Sequence, residues 1–145
     1  MSKLINEITQ LLYRYTELID SGDLKATAAL FEHAQIKVRN SNVFLDADEL
    51  LALWRKHLII YPCGTPRTKH LVTNPIIKLD NSKRHATCRS YYSVYQSTEN
   101  FPLQLIAAGR YYDEFEKEND SWHFSFRDYS MLDFTGNMRF HLKPA

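Results

Sequence analysis

Two stretches decide the fold: RHATCRSYYSVYQ at residues 84–96 and LQLIAAGRYYDEFEK at residues 103–117. Neither sustains an apolar repeat at helical spacing, both are crowded with tyrosines, and turn residues from Thr98 to Pro102 separate them. Each reads as a long strand. Outward from this pair the same reading holds for residues 67–79 and 122–133, joined through Asp80-Asn81-Ser82-Lys83 on one side and Glu118-Asn119-Asp120-Ser121 on the other. Four long strands linked by short turns predict an antiparallel meander. Strands of this length twist and coil, with Pro75 and Gly109 as the expected bend or bulge points.

The chain before the sheet has a different period. Leu4, Ile5, Ile8, Leu11, Leu12, Tyr15, Leu18 and Ile19 recur at helical spacing, with Lys3, Glu7, Gln10, Arg14 and Glu17 on the other face. Ser21-Gly22 supplies a stop, and Asp23 is placed to cap a second, short helix through Leu24, Ala28 and Phe31. Ile36 and Val38 suggest a short strand, with a turn at Asn40-Ser41-Asn42. Asp46 followed by Glu49 forms a capping box for a third helix with Leu50, Leu51, Trp54 and Leu58 on one stripe. Pro62, Gly64 and Pro66 then punctuate a loop. The expected architecture is a single α+β domain over residues 1–145, in which three N-terminal helices plug a cone-shaped, curled antiparallel sheet.

Composition narrows the function. A chain of 145 residues with 44% hydrophobic and 24% charged residues can bury one core and frame one pocket. Eighteen basic against seventeen acidic residues give a formal charge of +1 with no block of like charge, so no nucleic-acid partner is expected. Apolar runs such as Leu58-Ile59-Ile60 are far shorter than a bilayer span, so neither a membrane nor a signal segment is expected and the location is read as cytoplasmic. Cys63 and Cys88 are expected to remain free thiols there. Gly22, Gly64, Gly109 and Gly136 are too scattered for a dinucleotide or phosphate loop. The six histidines, His33, His57, His70, His85, His123 and His141, lack the local spacings that aim two ligands at one metal. No cofactor and no metal are expected, and no Gly-x-Ser-x-Gly elbow starts a hydrolase.

What remains is acid–base chemistry. Strand alternation puts Thr68, His70, Val72 and Asn74 on one face. Asp20, at the end of the first helix, falls where the chain must turn at the mouth of the cone. A carboxylate meeting His70 would fix one ring tautomer and leave the other nitrogen to move a substrate proton near neutral pH. Either residue also has a purely structural use, His70 as a core histidine and Asp20 as a cap or turn residue. An inward Tyr91 or Tyr111 would donate its hydroxyl to a substrate carbonyl. Tyr15, Trp54, Val72, Asn74 and Phe115 are expected to line the pocket, Trp54 as a lid wall.

Ile19-Asp20-Ser21-Gly22-Asp23, then Thr68-Lys69-His70, then a Tyr-rich hairpin ending in Trp122, resembles the SnoaL-like families of the nuclear-transport-factor-2-like superfamily, whose fold is a cone of helices and curled sheet. Scytalone dehydratase, in that superfamily, has acidic and histidine positions that look like Asp20 and His70. Ile19 stands where it has a tyrosine, and no asparagine falls near Arg110-Tyr111, where it has one. Residues 109–115 (GRYYDEF), with Trp122, Arg127 and Leu132-Asp133, are similar to the small subunit of aromatic-ring-hydroxylating dioxygenases, which implies an assembly role beside a large oxygenase subunit and no catalytic residues. The expected function is therefore to bind a small apolar or aromatic molecule, as a cofactor-free lyase or isomerase. The alternatives are a non-catalytic oxygenase subunit and a ligand-binding module without chemistry. A homodimer or small homo-oligomer is expected because the outer face of such a sheet needs cover.

Overall fold

The apolar stripe at the start of the chain forms α1 (Ser2–Ser21), burying Leu4, Ile8, Leu12, Tyr15 and Ile19, each worth about 1.5–3 kcal/mol of gross hydrophobic stabilisation. The structure, a computed structural model, describes residues 2–144; Met1 and Ala145, the two ends of the expected domain, lie outside the described residues. At the end of α1, Gly22 N–H donates to Ile19 O and Asp23 N–H to Leu18 O, the paired bonds of a Schellman stop. Only glycine fits there. Gly22 has φ +84°, and a Cβ on it would lie 1.9 Å from the Gly64 carbonyl oxygen. This close approach ties the end of α1 to the loop before the main sheet and fixes where Asp20 sits.

Asp23 caps α2 (Leu24–Ala29) by accepting from Ala26 N–H. The capping box of α3 (Ala47–His57) forms as the spacing requires, with Glu49 N–H donating to Asp46 at 2.8 Å and Asp46 N–H donating to Glu49 at 3.1 Å. Among the described residues three helices thus precede the long strands, as expected.

The strands are β1 (Gln35–Lys37), β2 (Thr68–Leu79), β3 (His85–Thr98), β4 (Phe101–Glu118), β5 (Ser121–Asp128) and β6 (Leu132–Thr135), in the order β1-β5-β4-β3-β2 with β6 also on β4. Two expectations need correcting. The sheet is mixed, because β1 runs parallel to β5. The last predicted strand is two strands that share one edge of β4: β5 pairs with its C-terminal half, and β6 pairs with Ala107, Ala108 and Gly109. The break falls at Tyr129-Ser130-Met131, where Ser130 N–H donates to the Asp128 carboxylate and Arg110 N–H to Met131 O. Gly109 is required by this geometry, since an added Cβ would meet Met131 O at 2.5 Å and the Tyr92 hydroxyl at 2.8 Å.

The curl comes from interrupted registers. Between Thr73 and Ile76, β2 carries one residue more than β3, a bulge at Asn74-Pro75. A further shift falls between Ala108 and Gly109. The helices pack into the concave side against Tyr111, Phe115, Trp122 and Phe124. The C-terminal segment closes one end of the cone: Ile59 N–H donates to His141 O, Lys143 N–H to His57 O, the Gln96 amide and the Tyr61 hydroxyl to Phe140 O, and Phe140 stacks on Phe101.

Candidate functional site: an Asp–His pair at an inner pocket

Asp20 projects from the last turn of α1 onto the first residues of β2. Its Oδ1 accepts from the Thr68 hydroxyl at 2.8 Å and meets His70 Nδ1 at 2.6 Å, while its Oδ2 accepts from the His70 backbone N–H at 2.7 Å. The side chains of His70 and Asp20 are only 8% and 9% exposed. Three bonds therefore hold the carboxylate, and the one from the ring fixes the imidazole's orientation.

His70 lines a cavity of about 140 Å³. Tyr15 and Ile19 of α1 form one wall, and Trp54 and Leu58, at the end of α3, form another. Tyr92, Val94, Ala107 and Tyr111 come from the sheet, and Tyr129 and Leu132 from the break between β5 and β6. Met138 and His141 close it. Beneath the tyrosines, Arg127 and Asp113 form a fully buried two-bond ion pair at 2.7 and 3.1 Å. The guanidinium lies 3.9 Å from the Tyr111 ring centroid and 4.4 Å from that of Tyr15. Tyr129 donates to the Tyr15 hydroxyl at 2.8 Å.

Burial pushes the hydroxyls of Tyr15, Tyr111 and Tyr129 well above the ordinary phenol range, against the pull of Arg127, so each stays a neutral hydroxyl. Burial works against the charge of Arg127 too, but Asp113 and the surrounding tyrosines more than offset it and raise its pKa. His141, 8% exposed, is pushed down to about 4 by burial and by the neighbouring His70, so it is neutral at physiological pH. Cys88 is pushed up to about 12 by burial and then by Asp113, which makes it an inert core thiol. Among the described residues no three His, Cys, Asp or Glu side chains cluster as metal ligands.

Of the residues expected at the site, His70, Tyr111, Tyr15 and Trp54 line this cavity, and Asp20 stands behind His70. The other four do neither. Tyr91 is 56% exposed on the outer face of the sheet, because its neighbour Tyr92 takes the inward direction and stacks on Tyr111. Asn74, at φ 42° in the bulge, is displaced from the His70 face and is exposed. Both belong to a second, larger pocket of about 480 Å³, which shares Tyr111 but lacks the Asp20–His70 pair. Val72 packs on the core without reaching the cavity. Phe115 is fully buried against Phe124. Sequence reasoning missed Tyr92, Tyr129, Met138 and His141 as lining residues. The last two lie in a segment with no period to read.

A curled, unclosed mixed sheet filled by N-terminal helices is the architecture of nuclear-transport-factor-2-like proteins with a cystatin-like fold. The model of the SnoaL-like domain matches residues 2–128, and the chain belongs to that family. Solved structures agree on the fold. A nuclear-transport-factor-2-like protein of cystatin-like fold from Novosphingobium aromaticivorans is 19% identical, with TM-score 0.69 over 90% of this chain and 83% of its own. A scytalone dehydratase candidate from that organism is 21% identical, TM-score 0.68, over 91% and 85%. The beta subunit of a candidate aromatic-ring-hydroxylating dioxygenase, again from that organism, is 14% identical, TM-score 0.67, over 94% of both chains. No curated protein matches the sequence. At these identities the likeness to solved structures is one of fold alone.

Proposed function

We propose that this domain binds a small, mostly apolar molecule in the inner cavity and acts on it as a cofactor-free lyase or isomerase. One observation carries the reading: a carboxylate held by three hydrogen bonds orients a histidine that lines an inner, largely apolar pocket. With the Nδ1 proton directed at Asp20, Nε2 keeps its lone pair and serves as the base. It removes a proton alpha to a carbonyl, the C–H electron pair moves into the carbonyl, and the Tyr111 hydroxyl donates to the oxyanion that develops. Return of the proton to another carbon completes an isomerisation; departure of a β-substituent completes an elimination. The raised pKa of Tyr111 supports its part, since a hydroxyl that stays protonated remains a donor.

The test is hydrogen–deuterium exchange at the alpha carbon of cyclohexanone in D₂O, followed by proton NMR. The folded protein should accelerate the exchange and His70→Gln should remove the acceleration. Exchange that survives His70→Gln contradicts the reading.

A second reading, a non-catalytic small subunit beside an oxygenase large subunit, draws on the outer face of the sheet, where Leu71, Tyr91, Leu103, Leu105 and Phe134 are exposed. Copurification with a larger iron-containing chain would support it. A homodimer through the same face is what the first reading expects, and light scattering after gel filtration distinguishes the two. No helix among the described residues is long and apolar enough to cross a membrane. A cytoplasmic setting suits the unpaired thiols Cys63 and Cys88.

A further inference from the structure

We infer that the cavity takes one uncharged, single-ring-sized molecule bearing a carbonyl or hydroxyl, and that His141 is its second polar contact besides His70. This rests on the reading of the inner cavity as the binding site.

Three observations lead there. The first is size. A volume of about 140 Å³ is close to that of a protein cavity of about 150 Å³ known to hold benzene, so a ring of roughly six to eight heavy atoms matches it better than a fused two-ring system. The second is charge. Among the described residues no lysine or arginine lines the cavity, and the nearby Arg127 is committed to Asp113 beneath the tyrosine floor. An anionic ligand would find no permanent cation in the lining, and a neutral one needs none.

The third is His141. Its backbone is fixed on both sides, with His141 N–H donating to Met138 O and His141 O accepting from Ile59 N–H, so the ring is delivered to the cavity by a braced segment. Its Nδ1 is buried with no hydrogen-bond partner among the described residues. A neutral imidazole presents one donor and one acceptor, and leaving its buried Nδ1 without a partner is destabilising unless something in the cavity meets it. A packing role alone would be met better by phenylalanine or leucine. The neutral state that burial gives this ring suits it to bind an uncharged carbonyl or hydroxyl.

The test compares three probes by isothermal titration and by NMR of the histidine ring signals: cyclohexanone, its carbon isostere methylenecyclohexane, and the two-ring ketone 1-tetralone. The wild-type protein should bind cyclohexanone more tightly than methylenecyclohexane, with shifts at both His70 and His141, and should bind 1-tetralone least. In His141→Phe, melting temperature being checked first, the preference for cyclohexanone over its isostere should fall about tenfold, one hydrogen bond's worth. His141→Asn, which keeps a donor and an acceptor, should recover part of it. If His141→Phe does not fold, the His141 ring shifts in the wild type and the Asn variant carry the comparison.

An unchanged preference in both variants overturns the proposal. So does tighter binding of 1-tetralone, or no saturable binding of cyclohexanone. The exchange assay separates this from the proposed catalysis. Cyclohexanone that binds through His141 but never exchanges its alpha protons sustains the ligand class and sinks the base. His70-dependent exchange of 1-tetralone faster than of cyclohexanone does the reverse.

Discussion

Replacing Arg127 by methionine tests how the cavity floor is held. Arg127 and Asp113 are both fully buried, joined by two bonds at 2.7 and 3.1 Å. Removing the guanidinium leaves a carboxylate without solvent or partner, which costs about 3–5 kcal/mol in comparable buried pairs. Two aromatic faces also lose a cation at 3.9 and 4.4 Å from their centroids, adding about 1 kcal/mol each. Methionine recovers part of this as apolar packing, so the net loss should be about 4–5 kcal/mol, a large fraction of the roughly 5–15 kcal/mol a domain has. Removing both charges in Arg127→Met with Asp113→Leu should return to within about 1–2 kcal/mol of wild type, since no unpaired charge remains. Urea unfolding at neutral pH, extrapolated linearly, reads all of these stabilities. A single variant that loses under about 1 kcal/mol, or a double variant no more stable than the single, would show that the buried pair does not hold the cavity floor.

Other substitutions follow the same logic. Asp20→Asn cannot accept all three of the bonds that Asp20 accepts; an amide N–H turned toward His70 Nδ1 would invert the ring tautomer, so alpha-proton exchange should fall by roughly 10²–10⁴-fold while the fold persists, checked by NMR and circular dichroism. His141 has its pKa lowered to about 4 in the fold, so between an unfolded value near 6.5 and 4 the unfolded chain binds a proton the folded chain does not. Its contribution is complete above about pH 6.5 and is lost as pH falls toward 4, up to about 3 kcal/mol, and urea titrations should show that slope shallower in His141→Phe by this amount. Gly109→Ala should destabilise by about 1–3 kcal/mol in the same assay, because its methyl would meet Met131 O at 2.5 Å and the Tyr92 hydroxyl at 2.8 Å.

Much of this site was legible in the sequence because its key residues sit where local rules are strong. The α1 periodicity runs straight into Ser21-Gly22, which locates Asp20, and alternation along β2 from Thr68 aims His70 inward. The capping box at Asp46 and Glu49 delivers Trp54 for the same reason. Local rules failed where the direction of a side chain depends on a distant partner. Tyr91 and Tyr92 are adjacent tyrosines on one strand, and only the pairing of Tyr92 with Gly109, which leaves room for its ring, decides which one turns in. Pro75 marked the bulge, but the extra residue is what displaced Asn74 from the face of His70. The parallel pairing of β1 with β5 joins segments some 90 residues apart, Gln35 with Phe126, and nothing local specifies it. His141 reaches the cavity only because Ile59 and His57 clasp the C-terminal segment.

In the proposed site Asp20 holds the Nδ1 proton of His70 and leaves Nε2 as a base facing the cavity. Long-range nitrogen–proton correlation NMR on ¹⁵N-labelled wild-type protein, at a pH where the His70 ring is neutral, reads that directly. A protonated Nδ1 and an unprotonated Nε2 are predicted. A ring carrying its proton on Nε2 would contradict the account.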